Sequence, residues 1–173
     1  MTKRKDIFEK IYETTQKNMR AALDKKLKLR KNLGDTIHIL AFQNRFLPIL
    51  ALSPGSESVL YESGRDNGRR FVSDFIEDND LRSVLEGFAE FMRRIKIGDI
   101  EVVEASDSGA KVRWKECITC AGVPDVSMTL CHFEAGTIAG TVEKKLGKRA
   151  IVHETNCCGS GSDYCEFKIE LVE

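Results

Sequence analysis

The sequence predicts an α+β domain. Apolar residues recur at threes and fours through most of the first hundred positions, and from Gly98 the period switches to two. A chain of 173 residues fits a single domain, large enough to bury roughly 70% of its unfolded surface.

Residues 5–31 read as a helix, with Ile7, Phe8, Ile11, Met19, Ala22, Leu23 and Leu27 on one stripe and Gly34 as its stop. Asp35–Leu52 is apolar in two parts. The first fits a buried strand or a helix, and Pro48 argues against a central strand in the second. Ser53-Pro-Gly-Ser56 is a turn, followed by a helix from about Glu57 to Ile76. Gly64 and Gly68 share one face of it. Two helix-interior glycines cost roughly 1 kcal/mol each relative to Ala, so the spacing points to another backbone packed closely there. A phosphate loop is the alternative, but its strand–turn–helix context is missing. Asp80 to Lys96 forms the next helix, capped by Asn79 or Asp80, with Leu81, Val84, Leu85, Phe88, Phe91, Met92 and Ile95 on one stripe.

Ile100–Ala105 and Lys111–Glu116, joined by Ser106-Asp-Ser-Gly109, read as a β-hairpin. Val126–Leu146 reads as a helix entered near Met128 and stopped by Gly147, with Gly136 and Gly140 repeating the four-residue spacing. A last hairpin pairs Ala150–Thr155 with Tyr164–Val172. The chain has no tandem repeat and no low-complexity linker.

The net charge of zero hides an asymmetry. Residues 1–34 carry eleven Lys/Arg against four Asp/Glu, a balance of +7, which leaves −7 for the rest. A basic arm of this kind attracts anionic partners, whereas the bland reading is a helix with a solvated basic face. The segment lacks the interleaved aromatics of a single-strand-binding surface, so nucleic acid is not the expected partner. No apolar run approaches the ~20 residues of a membrane span, and Met-Thr-Lys-Arg-Lys-Asp lacks the apolar core of a secretion signal. The expectation is a cytoplasmic protein whose six cysteines are reduced or metal-bound.

Cys131, Glu154, Cys157 and Cys165 surround the last helix and hairpin as candidate metal ligands. Thiolates are soft donors, and a mainly sulfur site selects zinc over magnesium or calcium. Strand parity places Cys165 with Phe167, Ile169 and Leu171, and Glu154 with Val152, away from His153. An inward carboxylate is costly unless paired or metal-bound. Cys117-Ile-Thr-Cys120 offers a rival, joining Cys157 and Cys165 as an all-sulfur site, and His132 and His153 lie close in sequence. Cys158 reads as a bystander. The bland alternative is that some cysteines are small buried hydrophobes.

The stretch from about Leu60 to Glu173 resembles the 4-vinyl-reductase (V4R) domain. The resemblance rests on Tyr61-Glu-Ser-Gly-Arg-Asp-Asn-Gly68, Cys131-His-Phe-Glu-Ala-Gly-Thr-Ile-Ala-Gly140, Glu154-Thr-Asn-Cys157 and Gly161-Ser-Asp-Tyr-Cys-Glu-Phe167. It implies a helical layer against an antiparallel sheet, similar to vesicle-tether subunits that hold an acyl chain. The organisation is then a basic helix over 1–34 and one V4R-like domain over 35–173. The resemblance also implies zinc on Cys131, Glu154, Cys157 and Cys165, a hydrophobic or aromatic small-molecule ligand, and a homodimer. The Cys117/Cys120 pair is not part of the family pattern.

The function expected is a zinc-containing, small-molecule-binding domain with a sensory or regulatory role. The apolar stripe and the lone Trp114 mark Phe88, Phe91 and Trp114 as candidate ligand contacts, although bland core packing explains the same rings. The alternatives are a reductase of a vinyl-bearing tetrapyrrole, or a regulator contacting protein or nucleic acid through the basic helix. No catalytic residues are assigned. Gly159-Ser-Gly-Ser joins two strands, a poor dinucleotide site, and three thiolates with a carboxylate fill a zinc ion's four positions.

Overall fold

The computed structural model describes residues 2–52 and 54–172, with side-chain surroundings from residue 9 onward. The side chains of Ile7 and Phe8, and Ser53 of the expected turn, lie outside the described residues. Two compact units result, Met1–His38 and Ile39–Glu173. Among the described residues no helix is long and apolar enough to cross a membrane.

In the first unit, α1 spans Thr2–Leu23 and stops short of the expected end at residue 31. Lys25 adopts a left-handed conformation (φ 59°), and the Lys26 amide donates to the Ala21 carbonyl at 2.8 Å. That six-to-one bond is a Schellman closure, here made without a glycine. Gly34 is left-handed (φ 75°), but it serves a later turn.

The second unit opens with α2, Ile39–Phe46, and a 3₁₀ turn over Leu47–Ala51, which resolves the strand-or-helix ambiguity in favour of helix. Next come α3, Ser56–Arg70, a 3₁₀ turn at Val72–Phe75, and α4, Leu81–Arg94. Asp80 caps α4 by accepting from the Ser83 amide at 3.1 Å. Strands β1 (Asp99–Ser106) and β2 (Gly109–Lys115) form the first hairpin. Helix α5 covers His132–Leu146, and β3 (Arg149–Asn156) with β4 (Cys165–Val172) makes the second hairpin. The helix expected from Val126 therefore starts six residues later. Ser127 is left-handed, and the Val126 and Met128 amides both donate to the Gly159 carbonyl, tying this segment to the β3–β4 connection instead.

The four strands form one antiparallel sheet in the order β1-β2-β4-β3. Its inward face carries Trp114, Val112, Ala110, Cys165, Phe167, Ile169 and Val152, all buried, and α4 and α5 lie over it. Both outer strands are bulged, β1 between Val102 and Glu104 and β3 between Glu154 and Asn156.

Helix α5 is enclosed from Glu134 to Glu143, and its main neighbour is α3. The two glycine pairs face each other. A Cβ on Gly64 would sit 2.0 Å from the Phe133 carbonyl oxygen, and one on Gly140 would sit 1.9 Å from that of Arg65. Backbone contact, rather than a phosphate loop, explains the spacing. Arg65 and Arg69 of α3 then both grip the buried Glu143 of α5, with contacts as short as 2.6 Å.

Candidate metal centre

The two rival cysteine sets turn out to be one cluster. Cys131 caps α5, Cys165 opens β4, and Cys157 follows β3. Cys117 and Cys120 sit in the segment after β2. There the Cys120 and Ala121 amides turn back onto the Cys117 carbonyl at 3.2 and 2.9 Å, which brings both thiols to one side. All five are buried and none is in a disulfide. Sulfur–sulfur distances are 3.6 Å for Cys117–Cys131, 3.6 Å for Cys131–Cys165 and 3.2 Å for Cys120–Cys165.

Two quartets have donor atoms within 4.8 Å of one another: Cys131, Glu154, Cys157, Cys165, and Cys117, Cys120, Cys131, Cys165. The first is the set anticipated from sequence. The second corrects the anticipated rival, because Cys117 and Cys120 join Cys131 and Cys165 in place of the Cys157–Cys165 pair. Cys158, His132 and His153 enter neither quartet among the described residues.

The first quartet fits a cation on its own chemistry. The Cys131 amide donates to Glu154 Oε2 at 2.9 Å, while Glu154 Oε1 is buried and has no hydrogen-bond partner among the described residues. The Leu130 amide donates to Cys157 Sγ at 3.4 Å, as suits a sulfur carrying negative charge. Bonds from Cys120, Cys131 and Cys165 hold the Cys157 thiol well below its ordinary range. Burial, reinforced by Cys157, pushes the Glu154 carboxyl up to about 9. A divalent ion would be held by these groups in their deprotonated forms.

Two supports escaped the sequence reading. Gln43, from α2, is buried and donates to the carbonyls of Ile118 (3.2 Å) and Ala121 (3.0 Å), bracing the Cys117–Cys120 turn across a long sequence gap that no local pattern reveals. Glu134, three residues after Cys131, is buried and accepts from Thr119 Oγ1. Burial raises its carboxyl to about 7, and its other oxygen is unpartnered. Its place in the first turn of α5 was a readable signal, because a carboxylate there faces the same side as the helix cap.

The candidate ligand contacts are packed into the core. Phe88 and Trp114 are each 1% exposed, with ring centroids 5.8 Å apart edge to face, and Trp114 meets Phe167 in the same manner at 6.0 Å. Phe91 stacks on Phe75 at 4.6 Å, away from that pair. The Trp114 indole N–H is buried without a partner. A surface cavity of about 490 Å³ lies elsewhere, between α3, α5 and β3, lined by Tyr61, Arg65, His132, Ile151 and His153 and reaching Glu154.

The V4R domain pattern matches residues 110–171. The chain is 41% identical over 141 residues to the uncharacterised protein MJ0150 of Methanocaldococcus jannaschii, covering 82% of this chain and 80% of that protein. Among solved structures, a vinyl-4-reductase family protein from Methanocaldococcus jannaschii superposes with a TM-score of 0.65 at 21% identity, over 96% of each chain. The phenol-responsive sensory domain of the transcription activator PoxR, solved with phenol, gives 0.68 at 11% identity over 87% of each. Trafficking protein particle complex subunit 3 from Naegleria fowleri, covalently bound to palmitic acid, gives 0.57 at 16% over 78% of this chain and 89% of that one. At these identities the structures share the fold with this protein. It is α+β, helices against a four-stranded antiparallel sheet.

Proposed function

The chain belongs to the V4R domain family, and on that premise we propose that it is a small-molecule-binding sensory or regulatory domain whose ligand-holding body is stiffened by zinc. The observation that carries the zinc reading is the Glu154 carboxylate, which has a buried oxygen without a partner among the described residues and sets one oxygen within 4.8 Å of three thiol sulfurs at the junction of α5 with the second hairpin. Cys131, Glu154, Cys157 and Cys165 would hold the ion in a closed, four-coordinate site, which supplies folding energy rather than an activated water. The Gly159–Ser162 segment connects β3 to β4 through a 3₁₀ turn and does not open a helix, so the vinyl-reductase alternative gains no dinucleotide site from it.

The ligand in this reading is a hydrophobic or aromatic molecule, and Phe88, Phe91 and Trp114, packed between α4 and the sheet, would have to part to admit it. The PoxR sensory domain was solved with phenol and shares this fold, which supports the same class of ligand here. In this reading residues 35–173 form the binding body, the basic segment 1–34 contacts a partner, and the protein works as a homodimer.

Elemental analysis of the natively purified protein should find zinc, with content falling in Cys157→Ser and Glu154→Gln. Wild-type protein without metal would reject the reading. Titration with phenols, fatty acids and tetrapyrroles, followed by Trp114 fluorescence, locates the ligand. A ligand in the surface cavity beside His132 and His153 would instead shift those imidazole resonances and leave the indole emission unchanged.

A further inference from the structure

The two quartets share only Cys131 and Cys165, and a single ion cannot serve both. Resting on the zinc reading above, we infer that the cluster is binuclear: a second divalent cation is held by Cys117, Cys120, Cys131 and Cys165, with Cys131 and Cys165 bridging the two ions.

The first argument is one of donors. An ion at Cys131, Glu154, Cys157 and Cys165 leaves Cys117 and Cys120 as buried thiols 3.6 and 3.2 Å from sulfurs already bonded to metal. An ion at the all-sulfur quartet alone leaves Glu154 Oε1 buried and unmet. Two ions give every one of the six donors a cation.

Geometry agrees. A zinc–sulfur bond of about 2.3 Å places two thiolates of one tetrahedral ion about 3.8 Å apart. The Cys117–Cys131 and shared Cys131–Cys165 edges are both 3.6 Å, and Cys120–Cys165 is 3.2 Å. Thiolates on different irons of an iron–sulfur cluster stand farther apart than the 4.8 Å that encloses each quartet, because iron and sulfide lie between them. The Cys117–Cys120 turn and its Gln43 brace give this half the preformed loop that a two-residue cysteine gap needs.

Charge also balances. The second dication displaces two protons, one from Cys117 and one from Cys120, so the buried cluster gains no net charge as it fills. Each sulfur–hydrogen bond is replaced by a sulfur–metal bond, with no change of oxidation state.

The test is metal stoichiometry on the full chain under reducing conditions. Native mass spectrometry after zinc reconstitution should report two ions per chain. Titration of the metal-free protein with cobalt(II) should raise thiolate-to-metal absorption to an end point at two equivalents, and cadmium-113 NMR should give two resonances. Cys117→Ser/Cys120→Ser should keep one ion, as should Glu154→Gln/Cys157→Ser, with circular dichroism confirming that each is folded. The wild-type titrations stand even if a variant fails to fold. An end point at one equivalent overturns the binuclear site: if that ion survives Cys117→Ser/Cys120→Ser, the zinc reading above still holds, and if it is lost there but survives Glu154→Gln, the ligand set above falls as well. No bound metal at all would sink both.

Discussion

Helix α5 is fastened at two places by different physics. Along its body, Gly136 and Gly140 meet the backbone of α3 at Tyr61 and Arg65, and Gly64 and Gly68 of α3 meet the backbone of α5 at Phe133 and Thr137, locked by the Arg65–Glu143–Arg69 ion pairs. At its start, Cys131 enters a cluster that also gathers the second hairpin and the Cys117–Cys120 turn. The first fastening is complete in the polypeptide itself. The second is a cluster of buried thiols and a carboxylate that could hold a metal ion. Close packing secures the helix pair by itself, while on the proposed zinc reading the junction with the hairpin depends on a bound ion.

The largest expected effect breaks the second fastening and spares the first. Metal removal by a strong chelator under reducing conditions should cost on the order of 5 kcal/mol or more, lowering Tm by about 10–20 °C. Hydrogen exchange should rise in residues 117–131 and 154–165 before it rises in α3. Unchanged melting after verified removal would show the metal to be incidental to stability.

Gly140→Ala does the converse. Its methyl group would lie 1.9 Å from the Arg65 carbonyl oxygen, and relief requires the helices to part. The overpacking cost exceeds the gain in helix propensity, for a net loss of about 2 kcal/mol in thermal or chemical denaturation. Zinc per chain should stay at the wild-type value. Loss of metal in this variant would mean that the two fastenings are coupled.

The smallest effect sharpens the ion-pair half of the contact. Burial opposes the Glu143 charge, but bonds from Arg65, the Ala150 amide and Arg69 outweigh it, and the carboxyl sits below its ordinary range. A depressed carboxyl contributes stability that is full above its unfolded value, about 4.3, and is lost as pH falls through the lower folded value. Glu143→Gln should therefore be less stable than wild type by about 1 kcal/mol at neutral pH, and the gap should close below pH 4. A gap constant with pH would assign the effect to packing.

The two fastenings differed in how legible they were. Glycines four apart in two separate helical stretches announce close approach, because the helix repeat puts them on one face and little else justifies their cost. The inward parity of Glu154 and Cys165 was readable from strand alternation, and the V4R resemblance pointed to their partners. Cys117 and Cys120 were read as a rival site with Cys157 and Cys165; that they share Cys131 and Cys165 with the first set, in one cluster, was not readable, because it depends on strand order. Placing β4 beside β2 pairs Trp114 with Cys165 and so brings the segment after β2 to the head of β4. Gln43 stayed hidden for a related reason, since its partners are reached through space and a lone Gln in a short helix carries no periodic signal, whereas Glu134, in the first turn of α5, could have been read from helix periodicity. Three helix ends were misplaced where backbone bonds overrode pattern, at Lys25, at Ser127 and at Phe71, where α3 gives way to a 3₁₀ turn.

The outer rim of β3 has a consequence for how the molecule behaves in a crowd. An edge strand offers its free amides to any passing strand. Here the Ala150 amide is taken by Glu143 at 3.1 Å and that of Val152 by the Tyr61 hydroxyl at 3.3 Å, while the bulge at Thr155 breaks the ladder before it ends. The opposite rim, β1, is bulged at Val103 and carries Glu101 and Glu104. Neither margin is therefore a clean template for growth, and a variant such as Tyr61→Phe, which frees the Val152 amide, removes one of the guards on the β3 rim.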